Sequence, residues 1–255
     1  MSWRISVAGR FAREAAAQGE GEVCAAFRRS FYLRFPGNRY ACVGDATLGR
    51  GPLNVIVDDL QMPAIGERMS LSLADAQLWA PPPIPAVAVP DVGALQYAAR
   101  GRAPREGLGS LVLDEHNALS GHAQPALDAI ERWLVGNAID DEAQGLIGLG
   151  PGLTPSGDDY LGGVLLALHY FERKPQAHGL WRWLEPRLAR TSDISAAHLA
   201  AAAAGEGHET LHLCMETLCT RRPDWPGVLN QLDRVGHCSG WDSLAGVLAV
   251  ARSTG

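Results

Sequence analysis

Gly148-Leu149-Gly150-Pro151-Gly152-Leu153-Thr154-Pro155-Ser156-Gly157-Asp158-Asp159 runs directly into the apolar segment Tyr160 to Phe171. Four glycines and two prolines in twelve residues rule out a regular helix or strand before Ser156. The apolar segment that follows has helical length and is apolar nearly all round, so it predicts a central, buried helix. Thr154 suits the N-cap and Pro155 the first helical position. The stretch therefore reads as a tight loop that delivers backbone N–H groups into a helix start, a geometry that suits anions. No Lys-Ser or Lys-Thr follows the glycines, so it is not a P-loop.

A second helix start repeats the first. Ser156-Gly157-Asp158-Asp159-Tyr160-Leu161-Gly162-Gly163-Val164-Leu165 aligns without gaps to Ser239-Gly240-Trp241-Asp242-Ser243-Leu244-Ala245-Gly246-Val247-Leu248, and seven of ten positions are identical. Ser239 suits a helix cap with Asp242 three residues on, in the manner of a capping box. One reading is a shared start signal for two buried helices, since acids near a helix N-terminus are stabilising. The other is a shared site. In that reading Asp158, Asp159 and Asp242 are the candidate catalytic residues. Gly150, Gly152, Thr154, Ser156, Gly157, His237, Ser239 and Gly240 are the candidate ligand-binding residues. Asp159 and Asp242 would then hold Mg²⁺, orient a nucleophile or move a proton.

The run from Gly148 to Leu161, with Gly236-His237-Cys238-Ser239-Gly240-Trp241-Asp242 near the end, resembles a bacterial family that includes the AllH-type subunit of oxamate carbamoyltransferase. Gly49-Arg50-Gly51-Pro52-Leu53 also looks like that family's glycine-proline turn. The resemblance implies carbamoyl transfer between carbamoyl phosphate and oxamate, giving oxalurate and phosphate, in purine (allantoin) breakdown. It also implies work alongside other protein subunits, with a small anionic metabolite as ligand. A non-catalytic subunit that binds a metabolite or partner is the alternative, because no obvious nucleophile–base pair is present.

Composition narrows the class. At 255 residues, 47% hydrophobic and 20% charged, the chain has ordinary globular content for one large domain or two small ones. The net charge of −6 disfavours nucleic acid as a partner. No apolar run reaches membrane-spanning length, and the first ten residues lack a signal-peptide core. Five cysteines without metal-type spacing suit reduced thiols of a cytoplasmic protein. Cys238 stands apart, because a helix N-terminus lowers a thiol pKa.

The remaining pattern predicts an α+β chain. Residues 1–80 read as a β-rich domain: strands at Ser30–Phe35, Arg39–Val43 and Leu53–Val57, with more at 69–73 and 77–79, arranged as an antiparallel meander. Residues 81–90 form a proline-rich strap. Residues 91–255 read as a helical domain, with segments at 92–100, 124–135, 160–171, 196–204, 208–221, 228–235 and 241–251. His208-Glu209-Thr210-Leu211-His212 spells HExxH, which on a helix would place two histidines for zinc and so raises a zinc hydrolase as a third class. Neither Glu216 nor His237 has a diagnostic spacing as third ligand.

Overall fold

A computed structural model describes residues 3–84, 89–220 and 223–254. Residues 85–88 of the proline-rich strap and Arg221, at the end of one expected helix, lie outside them. The fold is α+β, about 49% helix and 13% strand. It divides into two compact units: residues 1–82 with 206–209, and residues 83–205 with 210–255.

The first unit holds a seven-stranded sheet: β1 (Ile5–Gly9), β2 (Gly21–Ala26), β3 (Ser30–Phe35), β4 (Arg39–Gly44), β5 (Asn54–Val57), β6 (Arg68–Met69) and β7 (Gln77–Trp79), in the order β6-β2-β3-β4-β5-β1-β7. Alternation in β3 buries Phe31, Leu33 and Phe35 on one face. A turn with positive φ at Gly37 and Asn38 returns the chain into β4. The expected antiparallel meander is corrected by two parallel pairings, β4 with β5 and β1 with β7. Helix α1 (Arg10–Ala16), between β1 and β2, was also not expected. Its alanines Ala12 and Ala15 pack into the same core as Phe31, Leu33 and Val55. Small residues let the helix axis lie close to the sheet, and they also hide it from a hydrophobic-periodicity reading.

The turn at Gly49-Arg50-Gly51 anchors the returning segment of this unit. The Arg50 N–H donates to Glu209 Oε1 at 2.7 Å, and the Glu209 N–H donates to the Arg50 carbonyl at 2.8 Å. Arg10 Nε donates to Glu206 Oε1 at 2.6 Å. His208 Nε2 lies 3.0 Å from the Leu48 carbonyl oxygen.

The second unit is helical: α2 (Val92–Ala99), α3 (Ala118–Leu134), α4 (Ser156–Tyr170), α5 (Lys174–Leu184), α6 (Asp193–Ala203), α7 (Glu209–Leu218), α8 (Trp225–Leu232) and α9 (Ser239–Arg252). Glu209, the first residue of α7, belongs to the first unit. Helix α3 starts six residues earlier than expected. An Asn117–Ser120 capping box sets its start, and Pro125, which suits a first turn, lies inside it. Helix α5 was not anticipated, although Ala177, Leu180 and Leu184 are buried at helical spacing. No helix among the described residues is long and apolar enough to cross a membrane.

Candidate functional site

Helices α4 and α9 form the most extensive helix pair of the second unit, and both are buried on nearly every side. They touch backbone to backbone. A Cβ on Gly163 would lie 1.9 Å from the Ser243 carbonyl oxygen, and a Cβ on Gly246 would lie 2.0 Å from that of Tyr160. In the repeat Gly163 aligns with Gly246 and Tyr160 with Ser243. The contact is thus reciprocal, as it is across a two-fold axis. Glycine is required at both positions because any side chain would occupy the partner's carbonyl.

The same reciprocity brings the two helix starts together. The Ser156 hydroxyl of the first copy hydrogen-bonds Asp242 of the second, and the Ser239 hydroxyl of the second hydrogen-bonds Asp159 of the first. Thr154 also reaches Asp159, and its Oγ1 lies 3.1 Å from Ser239 Oγ. Both expected caps are corrected by these bonds. Pro155 occupies the N-cap of α4 and Cys238 that of α9, and neither helix has a side-chain cap. The hydroxyls of Thr154 and Ser239 are directed across to the other helix start instead.

The three candidate carboxylates have different surroundings. Asp158 is buried: Oδ1 accepts from the Gly148 N–H at 2.9 Å, and Oδ2 accepts from Ser195 Oγ at 2.8 Å and from Thr191 Oγ1. It ties the glycine loop and the start of α6 to α4. Asp242 is buried too: Oδ1 accepts from the Leu108 N–H at 2.6 Å, and the Gly109 N–H and Ser156 add further bonds. Gly107, at φ +70°, lies over this carboxylate, where a Cβ would come within 2.5 Å of Oδ1. Asp159 has Ser239 and Thr154 on its carboxyl, yet its Oδ2 is buried and has no hydrogen-bond partner. An unpartnered buried acceptor costs about 1–3 kcal/mol, so a group left this way calls for a role.

Burial pushes all three carboxyls above the ordinary Asp range, Asp242 to about 6. For Asp159 the shift is large. Desolvation is its main cause, and the charges of Asp242 and Asp158 add to it against the Ser239 and Thr154 bonds. A carboxyl with a raised folded pKa favours the native state below its unfolded value. That contribution is lost as pH rises through the folded value.

Some N–H groups of the glycine stretch are engaged within the loop and the helix start. The Gly157 N–H donates to the Leu149 carbonyl at 2.9 Å, and those of Asp158 and Asp159 reach the Pro155 carbonyl. The Gly148 N–H is taken by Asp158, so the helix start already holds an anion of its own. Gly240 behaves as Gly157 does, its N–H donating to the Val235 carbonyl at 3.0 Å. What remains open is the loop tip, exposed at 151–153, with Gly150 and Gly152 at φ +110° and +95°.

His237 is exposed, with Nε2 at 3.2 Å from Glu106 Oε2. Cys238 departs from expectation. Its thiol pKa is raised, first by desolvation and then by the charges of Asp242, Glu106 and Asp159. The HExxH reading is also corrected. His208 precedes α7 and faces the Leu48 carbonyl, and Glu209 holds the Arg50 turn, so the motif does not lie on one helix face. Glu106 and the Gly107–Gly109 cradle were missed by sequence reasoning. Their signal was a short Gly-Leu-Gly in an otherwise irregular stretch.

The family model described as oxamate carbamoyltransferase subunit AllH matches residues 146–251. That span covers both helix starts and lies within the second half of the chain. The description is that of an enzyme subunit. No solved structure matches the chain.

Proposed function

We propose that this chain is an AllH-type subunit of an oxamate carbamoyltransferase, and that its substrate site lies at the facing starts of α4 and α9. The observation that carries the reading is Asp159 Oδ2, a buried carboxylate oxygen without a partner beside two carboxylates that are fully engaged. In carbamoyl transfer the oxamate amide nitrogen attacks the carbamoyl carbon of carbamoyl phosphate. The carbon–oxygen bond to phosphate breaks, and the amide nitrogen loses a proton. Asp159 is the group placed to accept that proton, and a raised pKa makes its carboxylate a stronger base. Asp158 and Asp242 act as positioning residues, because their lone pairs are committed to the loops they hold. The exposed loop tip around Gly150 and Gly152 takes the anionic end of the ligand, away from the carboxylates. Mg²⁺ between Asp159 and Asp242 is the less favoured use of the pair, since it must displace the Leu108 and Ser156 bonds. Five free thiols fit the reducing setting of the cytoplasm.

Thermal unfolding tests the binding half of this proposal. Ligand at 100 times its Kd adds about 2.7 kcal/mol. At roughly 2–4 °C per kcal/mol, the midpoint should rise by about 5–11 °C with carbamoyl phosphate and oxamate together. No shift with either compound, alone or combined, would contradict a substrate site in this chain. A non-catalytic binding subunit is the second reading, favoured by the commitment of Asp158, Gly157 and Gly240 to internal bonds. It predicts the same shift with turnover insensitive to Asp159.

A further inference from the structure

We propose that Glu106, His237 and Cys238 form a binding site for a zinc-type divalent cation at the start of α9. The ligand atoms of the three residues all lie within 4.8 Å of one another, and among the described residues this is the group of three that could share one ion. Oxygen, imidazole nitrogen and thiolate sulfur are together a donor set that Zn²⁺ accepts in tetrahedral geometry, and three protein ligands leave a fourth position for water. This mixed set is softer than the oxygen cages that Mg²⁺ and Ca²⁺ require.

The surroundings favour a cation. The helix start contributes roughly half a positive charge at Cys238. Against it stand the carboxylates of Asp242, Glu106 and Asp159, all close enough to act on the Cys238 sulfur. A divalent ion among these carboxylates binds the sulfur as thiolate, and the thiol proton is released to solvent. Closing the group onto an ion needs only small movements. Zinc–ligand bonds are about 2.0–2.3 Å, so the donors must approach by roughly an ångström. His237 and Glu106 are exposed and free to turn by that much. Gly236, at φ +62°, sets the path of the chain into His237 and Cys238.

Co²⁺ is the spectroscopic stand-in for zinc, and the test does not depend on carbamoyl transfer. Titration of the purified, reduced chain should give a near-ultraviolet sulfur-to-cobalt band and visible bands of tetrahedral intensity, saturating at about one equivalent. One equivalent of Zn²⁺ should abolish them. Cys238→Ser should lose the near-ultraviolet band, and His237→Ala, at an exposed position, should weaken binding at least tenfold. Cys219→Ser should leave the spectrum unchanged. A chain that develops no thiolate band overturns the site, and so does a band that survives in Cys238→Ser or an affinity unaltered in His237→Ala.

Discussion

Replacing Gly163 with alanine should lower the midpoint of thermal unfolding by about 5–10 °C, whereas replacing its neighbour Gly162 should raise it by about 1–4 °C. Intrinsic propensity predicts the same change at both positions, since Ala in a helix interior is favoured over Gly by about 1 kcal/mol. Packing separates them. At Gly162 the nearest atom to a new Cβ is the Ala202 Cβ at 3.9 Å, an ordinary contact. At Gly163 the new methyl would sit 1.9 Å from the Ser243 carbonyl oxygen, which belongs to a buried helix backbone and has no rotamer to change. Overpacking of this kind costs about 1–3 kcal/mol and more when backbone is the obstacle. It also pushes apart the two helix starts, so Gly246→Ala should behave like Gly163→Ala. Equal midpoints for the Gly162 and Gly163 variants would mean that α4 and α9 do not cross at this point.

Asp159→Asn should reduce carbamoyl transfer by the assembled enzyme by about 10²–10⁴-fold, the range expected for loss of a general base. The fold should survive, because asparagine fills the same volume and keeps an acceptor for Ser239 and Thr154. Removal of a buried carboxyl whose Oδ2 lacks a partner should leave thermal stability unchanged or slightly higher. The same change at Asp158 has a different signature. That carboxylate holds the Gly148 N–H, Thr191 and Ser195, so its loss acts through stability. Full turnover in Asp159→Asn, measured with partner subunits present, would leave the chain a binding subunit.

Much of the helical unit was legible because its signals are local. The glycine run before Ser156 announced α4, and the repeat Ser-Gly-x-Asp announced its relation to α9. Chain direction into β3 and β4 followed from alternation and from the turn at Pro36-Gly37-Asn38. Three things were not legible, each for a physical reason. The parallel pairing of β1 with β7 joins the first and last strands in sequence, which local alternation does not reveal, and the buried face of α1 is alanine and gives little periodic signal. The roles of Thr154 and Ser239 depend on the helix across from them, so local capping rules placed them wrongly. The division of labour among three aspartates depends on which N–H groups reach each one: Gly148 reaches Asp158, Leu108 reaches Asp242, and Asp159 Oδ2 has none. Sequence spacing supplies none of that information.

The starts of α4 and α9 converge to enclose Asp159 beside Asp242, and carboxyl ¹³C NMR titration of Asp159, in the native chain and in Asp242→Asn, reads this arrangement at the residue itself. Asp159 should titrate well above the ordinary Asp range in the native chain and shift clearly downward once the neighbouring charge is removed. Titration near 4, unchanged by Asp242→Asn, would mean that the two carboxyls do not share one enclosure.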